Sequence, residues 1–338
     1  MIRSGGARRA LVIATAFGLA ATACQAPGRA QGPSRPKTTT TTSPTLLATT
    51  TPVAPPCSPA RPKAAGQETV TLSFDGKIRD YVLRVPTTYD GTKAAPVIFD
   101  FHGWGSTGTQ QLVYGSYSGP SDRDGVLLVA PNGIGQGHDR HFNIALQASP
   151  TDDVAFVRTI LDQLEARLCI DPSRVFSSGM SDGGAMTSAL ACRASDRFAA
   201  FGPVAAVLYG PTCTPPRPVP IAAFMGNADP VIPFNGGAVH CCGAAVLPAA
   251  PDSMAGWAAH NHCGPPAEQR LSTNVLLRVW AGCADGGDVR FYIIEGGGHT
   301  WPGSIFEVPH LGVTTKEISA SETLWAFFQA HPLPARAS

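Results

Sequence analysis

Ser181, Asp229 and His299 are the residues whose types and spacing could do chemistry in this chain. Gly179-Met180-Ser181-Asp182-Gly183 fits a G-x-S-x-G pattern. An apolar stretch at Val175 and Phe176 precedes it, and small helix formers from Ala185 to Ala191 follow. Strand, sharp turn and helix form the context in which that pattern presents a nucleophilic serine above a sheet edge. Side chains two before and two after the serine would collide, which gives Gly179 and Gly183 a physical job. The helix start supplies free N–H groups and a positive dipole end to a developing oxyanion. A glycine-rich turn without chemistry is the alternative, so the rest of the chain has to decide.

A hydroxyl nucleophile needs a base, and the base needs an acid to orient it. Among the nine histidines, His299 lies just past a terminal apolar run, inside Glu295-Gly-Gly-Gly-His-Thr-Trp-Pro-Gly. Three glycines let that loop reach over a sheet edge. His310 is the fallback. Asp229, in Gly226-Asn-Ala-Asp-Pro after the apolar run 219–225, is the candidate orienting acid. Asp252, Asp285, Asp288 and Glu295 are the alternatives, and a turn-capping role competes for Asp229. An oxyanion hole requires two backbone donors. The N–H of Asp182 and that of Trp104, in His102-Gly-Trp-Gly after an early central strand, are the candidates. The Asp182 side chain is expected to point away from the reacting atom. His102 either braces this loop or contacts substrate; His141 and Trp301 are further candidate substrate contacts.

These residues need elements to position them. Residues 68–76 and 79–86 alternate apolar and polar and predict an antiparallel hairpin at a sheet edge. Continuous apolar runs at 96–102 and 126–131 predict buried central strands. Helical spacing over 152–169, with acids at its start, predicts an amphipathic helix. Further strands are expected at 198–208, 219–225, 275–280 and 289–294, and helices at 252–261 and 317–330. The expected fold class is α/β: a mostly parallel central sheet with helices on both faces and an antiparallel N-terminal hairpin.

The chain has 338 residues, 43% hydrophobic and only 14% charged, with a formal net charge of +1. A sizeable core is within reach, and no polyanion-binding surface is indicated, so no nucleic-acid partner is expected. Residues 1–23 read as a signal peptide: Arg3, Arg8 and Arg9, then an apolar stretch of 13 residues at 10–22. Residues 24–56 are rich in Pro and Thr, with five threonines at 38–42, and read as a disordered tether. The catalytic domain is expected over 57–334, with no second domain after it.

Of the nine cysteines, Cys24 directly follows the cleavage region and resembles the acceptor of a bacterial lipobox, although Ala21 stands where relatives usually carry Leu. Lipidation there would attach the protein to a membrane. The remaining eight form an even set, which in an exported chain reads as disulfides. Cys263 with Cys283 is the expected local pair; adjacent Cys241 and Cys242 are expected to pair with distant partners. The dense group His240, Cys241, Cys242, His260, His262 and Cys263 lacks C-x-x-C spacing, so disulfides are preferred to a metal.

The words FHGWGS, DDVAFVRTILDQL, RVFSSGMSDGGAM, RFAAFGPVAA, PVPIAAFMGNADPVIPFNGG and GGGHTWPG together resemble the polyhydroxybutyrate depolymerase and feruloyl esterase group. This is a secreted esterase branch of the α/β-hydrolases, related to carbohydrate esterase family 1. The resemblance runs over most of 68–330. It implies an α/β-hydrolase fold, a Ser181–Asp229–His299 triad and no cofactor. It implies an exported serine esterase acting on feruloyl or acetyl esters of polysaccharide, or on hydroxybutyrate oligomers. Depolymerases of insoluble polymer usually carry a separate binding module, which favours soluble or wall-linked esters. A prolyl-oligopeptidase-type peptidase and a non-catalytic binding lipoprotein are the remaining readings. The chain departs from its relatives at 134–150, where they often carry tryptophan, and at 236–247; both segments are expected to touch substrate.

Overall fold

The apolar runs become strands whose alternate residues feed two different cores. The computed structural model describes residues 56–144, 152–241 and 245–334, which lie within the compact unit Thr49–Ser338. β1 (Gly66–Phe74) and β2 (Lys77–Val85) form the expected hairpin. β3 (Ala95–Phe101) is buried at every position. Val97, Phe99 and Phe101 enter one core and Ile98 enters the other. A continuous apolar run is what a strand covered on both faces requires.

Two short helices follow that periodicity did not reveal, α1 (Gly108–Tyr114) and α2 (Ser118–Asp124). At seven residues each, they are too short to show a 3.6-residue pattern. The Thr107 cap, whose hydroxyl accepts from Gln110 N–H, was the one available signal for α1. β4 (Leu127–Pro131) leads to α3 (Asp153–Arg167), whose N-cap Asp152 accepts from Ala155 N–H. β5 (Ile170–Met180) is longer than expected and ends at Ser181; α4 (Asp182–Arg193) begins at the next residue.

β6 (Phe201–Val204) and β7 (Ile221–Gly226) continue the sheet. β8 (Gly237–Ala238) and β9 (Val246–Leu247) form a separate two-stranded pair. α5 (Ala250–His260), β10 (Pro266–Arg270), β11 (Val275–Trp280), β12 (Val289–Ile294) and α6 (Ala320–Gln329) complete the described chain.

The sheet order is β1-β2-β4-β3-β5-β6-β7-β12-β11-β10. The strands from β4 to β12 run parallel, while β1, β2, β10 and β11 make antiparallel ends. β10 was not expected: its five residues are all exposed and three are polar or charged, with no buried face to leave a pattern. Side chains of α3, α4 and α5 pack into one core, and those of α1 and α6 into the other.

Three disulfides brace this frame: Cys57–Cys169, Cys192–Cys213 and the expected Cys263–Cys283. Cys241 is disulfide-bonded too, and those six are already used. The expectation that it pairs with a distant one of them is therefore corrected. Cys242 lies outside the described residues, as do Cys24, the expected signal peptide and nearly all of the expected tether.

Candidate active site

Ser181 sits at the C-terminal end of β5 with φ 58° and ψ −119°. A non-glycine residue in that region is strained and persists only where its surroundings enforce it. The flanking glycines show how. A Cβ on Gly183 would stand 2.0 Å from Phe101 O, and one on Gly179 would stand 2.5 Å from Gly183 O. Strand β3, turn and helix are too close for any side chain there.

Asp229 lies three residues past β7, and His299 lies five past β12; these two strands are parallel neighbours. Hydrogen bonds stitch their loops together: Ala228 N–H donates to Gly297 O at 3.0 Å, and Gly296 N–H donates to the side-chain Oδ1 of Asn227 at 2.7 Å. His299 Nδ1 lies 2.7 Å from Asp229 Oδ2. The other carboxylate oxygen accepts Val231 N–H at 2.7 Å and Ile232 N–H at 2.9 Å. An anion held by three donors keeps the Nδ1–H tautomer of His299 and leaves Nε2 free to take a proton. His299 is 4% exposed and shares a cavity wall with Ser181. No hydrogen bond joins Ser181 Oγ to His299 among the described residues. His310 is an exposed residue farther along that wall. The alternative acids lie elsewhere: Glu295 pairs with Arg270, Asp288 pairs with Arg290 and His331, and Asp252 and Asp285 are exposed.

Gly103 stands over the serine: a Cβ added there would be 3.3 Å from Ser181 Cβ. Trp104 N–H and Asp182 N–H donate to no acceptor among the described residues, which leaves both for a ligand oxygen. The helix start explains the second, since the first N–H groups of a helix have no partner within it.

His102 is corrected as a substrate contact. It is fully buried and lines neither cavity. Its Nε2 accepts Gly133 N–H at 3.0 Å, which fixes the tautomer, so Nδ1–H donates to Gly103 O at 2.8 Å. Burial lowers its pKa to about 4, which keeps it neutral. It braces the Gly103 loop against the end of β4. Trp301 is corrected as well. It is fully buried, packs edge-on against Tyr117 and donates Nε1–H to Ser321 Oγ at 3.0 Å. The residues after His299 turn inward to anchor the loop on α6. His141 does face the site, with its ring stacked on Trp104 at 4.3 Å and 9°.

Two cavities meet at Ser181, and Trp104 and Cys241 line both. The smaller, about 380 Å³, is walled by apolar groups including Ile134, Phe142, Ile232 and Leu247. The larger, about 910 Å³, holds His299 and the polar side chains of Ser106, Thr109 and Gln110. Described residues of the segments 134–150 and 236–247, where the chain departs from its relatives, supply walls; residues 145–151 and 242–244 lie outside the described residues. The α1 face and Ile232, Ala185 and Ala206 were not singled out from sequence, because tertiary packing alone brings them to Ser181.

No protein-family model matches the chain. It is 28% identical to feruloyl esterase B of Piromyces equi over 65% of this chain and 42% of that protein, so it spans less than half of that relative. It is 27% identical to the putative esterase NocK of Nocardia uniformis subsp. tsuyamanensis over 80% of this chain and 90% of that protein. The acetyl xylan esterase structure from Aspergillus awamori shares the fold, with a TM-score of 0.53 at 15% identity over 69% of this chain and 94% of that one. In sequence the chain is thus similar to a feruloyl esterase and a putative esterase, and in fold it shares the α/β-hydrolase architecture of an acetyl xylan esterase.

Proposed function

We propose that this chain is a serine carboxylic-ester hydrolase acting on feruloyl or acetyl esters of polysaccharide or on related soluble esters. The observation that carries this is the Asp229–His299 pair, 2.7 Å apart, whose histidine shares a cavity with a serine on a strained turn. Ser181 Oγ attacks the ester carbonyl carbon and gives its proton to His299 Nε2. The carbonyl oxygen becomes an oxyanion that takes the N–H groups of Trp104 and Asp182. Collapse breaks the ester C–O bond, and His299 returns the proton to the departing alkoxide. A water molecule, deprotonated by His299, then releases the acid from Ser181.

His299 lines only the larger cavity. The alkoxide that it protonates therefore leaves on that side, where Ser106, Thr109 and Gln110 offer polar groups to a sugar among apolar walls such as Tyr114, Val231 and Phe306. The acyl group then occupies the smaller apolar cavity, whose volume falls within the range of small-ligand pockets. Disulfides suit an oxidising compartment, in line with export of a domain near 57–334 from a 1–23 signal peptide. Attachment through a lipidated Cys24 is part of this reading, and intact-mass measurement of the native N-terminus tests it.

The functional test is a hydrolysis panel on the purified protein: methyl ferulate, acetylated xylan, hydroxybutyrate oligomers and short p-nitrophenyl esters, with Ser181→Ala as control. Preference for feruloyl or acetyl-sugar esters is expected. Preference for hydroxybutyrate oligomers would replace this substrate class with a depolymerase-type one. Hydrolysis that survives in Ser181→Ala would overturn the mechanism.

A further inference from the structure

The loop between β4 and α3 carries the smaller cavity's aromatic wall. Ile134 bridges back to His141, whose N–H donates to Ile134 O at 2.9 Å. His141 stacks on Trp104; Phe142, 2% exposed, packs edge-on against Phe101 at 5.4 Å. Two successive N–H groups then end in two carboxylates. Phe142 N–H donates to Asp182 Oδ2 at 2.6 Å, and Asn143 N–H donates to Asp153 Oδ2 at 2.7 Å. Each carboxylate belongs to the first residue of a helix, α4 and α3 respectively. Asp153 is fully buried and ion-paired through its other oxygen to Arg79 at 2.6 Å. Asp182 forms no salt bridge among the described residues. The residue that follows the nucleophile thus reaches sideways, away from Ser181, and seats the neighbouring loop.

We propose that Asp182 is a positioning residue whose carboxylate fixes the 134–143 loop, and with it the His141–Trp104 wall, so that acyl selectivity depends on it. This rests on the reading of the smaller cavity as the acyl side. The main-chain N–H of Asp182 and its side chain would then serve different ends: the first meets the oxyanion, and the second shapes the pocket beside it. Burial raises the Asp182 pKa from 3.8 to about 7. The Phe142 N–H and the charge of His141 oppose that rise, and Asp153 adds to it. As pH falls through about 7 the carboxylate takes up a proton and its charge-assisted hydrogen bond weakens. Selectivity for large acyl groups should therefore fall in the same interval, by no more than about twofold, because the protonated carboxyl keeps an acceptor oxygen for Phe142 as an amide does.

The experiment measures kcat/KM for p-nitrophenyl acetate, butyrate and benzoate and for methyl ferulate, in the unaltered protein, Asp182→Ala and Asp182→Asn. Preference for the large acyl groups over acetate is expected to fall about tenfold in Asp182→Ala, the scale of one lost hydrogen bond. Asp182→Asn, whose amide oxygen still accepts from Phe142, should stay within about twofold and lose the change in selectivity between about pH 6 and 8. Equal loss on all esters in Asp182→Ala, or a loss in Asp182→Asn as large as in Asp182→Ala, would overturn the proposal. Should Asp182→Ala not fold, constant selectivity across that pH interval in the unaltered protein overturns it instead. If methyl ferulate is not turned over while the p-nitrophenyl series still depends on residue 182, the feruloyl reading falls and this one stands.

Discussion

Asp229 and His299 stand within five residues of the ends of buried parallel strands, and both are almost closed to solvent. Trp104 and His141, which face the cavities beside them, sit on loops, and Trp104 is 37% exposed. The first pair is fixed by sheet register and by backbone bonds between adjacent loops. The second pair is fixed by ring stacking and, through Phe142 and Asn143 beside His141, by hydrogen bonds to carboxylates from other elements. Rigid strand ends suit groups that must keep hydrogen-bond geometry through a reaction. Loops suit groups that set which ester fits, because a loop changes without disturbing the sheet.

The sharpest break between the two regions is Ser181→Ala. It should lower kcat/KM by roughly 10⁴-fold or more on every ester, with thermal stability retained. Loss on one acyl class alone would place Ser181 among the walls instead. Two tryptophans sharpen the contrast next. Trp301→Ala empties a fully buried site and should cost about 3–5 kcal/mol in denaturant unfolding. Trp104→Ala should cost far less stability and should change KM for aromatic esters. An equal loss of stability in both variants would dissolve the distinction between anchor and wall.

His141→Ala tests the wall directly. Removing one half of an aromatic stack is worth about 1 kcal/mol, so KM for methyl ferulate should rise about fivefold relative to acetate esters. A uniform fall in kcat would mean that the loop serves the chemistry instead.

The smallest expected effect concerns Asp100, buried in β3 behind the site. It accepts from Ser178 Oγ and Gln111 Nε2, both at 3.0 Å, and burial raises its pKa from 3.8 to about 7. The folded state then holds that proton more tightly than the unfolded chain does. Its contribution to stability is full below about pH 4 and declines as pH rises toward 7. Asp100→Asn keeps an acceptor oxygen and removes the titration. The difference in melting temperature between about pH 5 and 8 should narrow by a few degrees in thermal unfolding. A gap as wide as in the unaltered protein would show that Asp100 does not titrate in that window.

Much of this was legible in the chain itself. The pattern around Ser181 called for a strained turn between strand and helix, and the two flanking glycines sit where any Cβ would strike backbone. Loop positions after apolar runs singled out His299 and Asp229, because runs that long have to be buried strands and their ends lie along one sheet edge. Periodicity located α3 and α6 for the same reason: each buries one face.

Sequence determined which residue types sit at the strand ends, since burial writes itself into apolar spacing. Tertiary structure alone decided which polar residues are anchors and which are walls. His102 and His141 are indistinguishable as letters, yet one is buried between two backbone groups and the other faces a cavity. Trp301, a candidate substrate contact by sequence, is turned into the core by the chain. The short α1, the exposed β10 and the carboxylate of Asp182 left no periodic mark, because their roles come from contacts with residues far away in the chain.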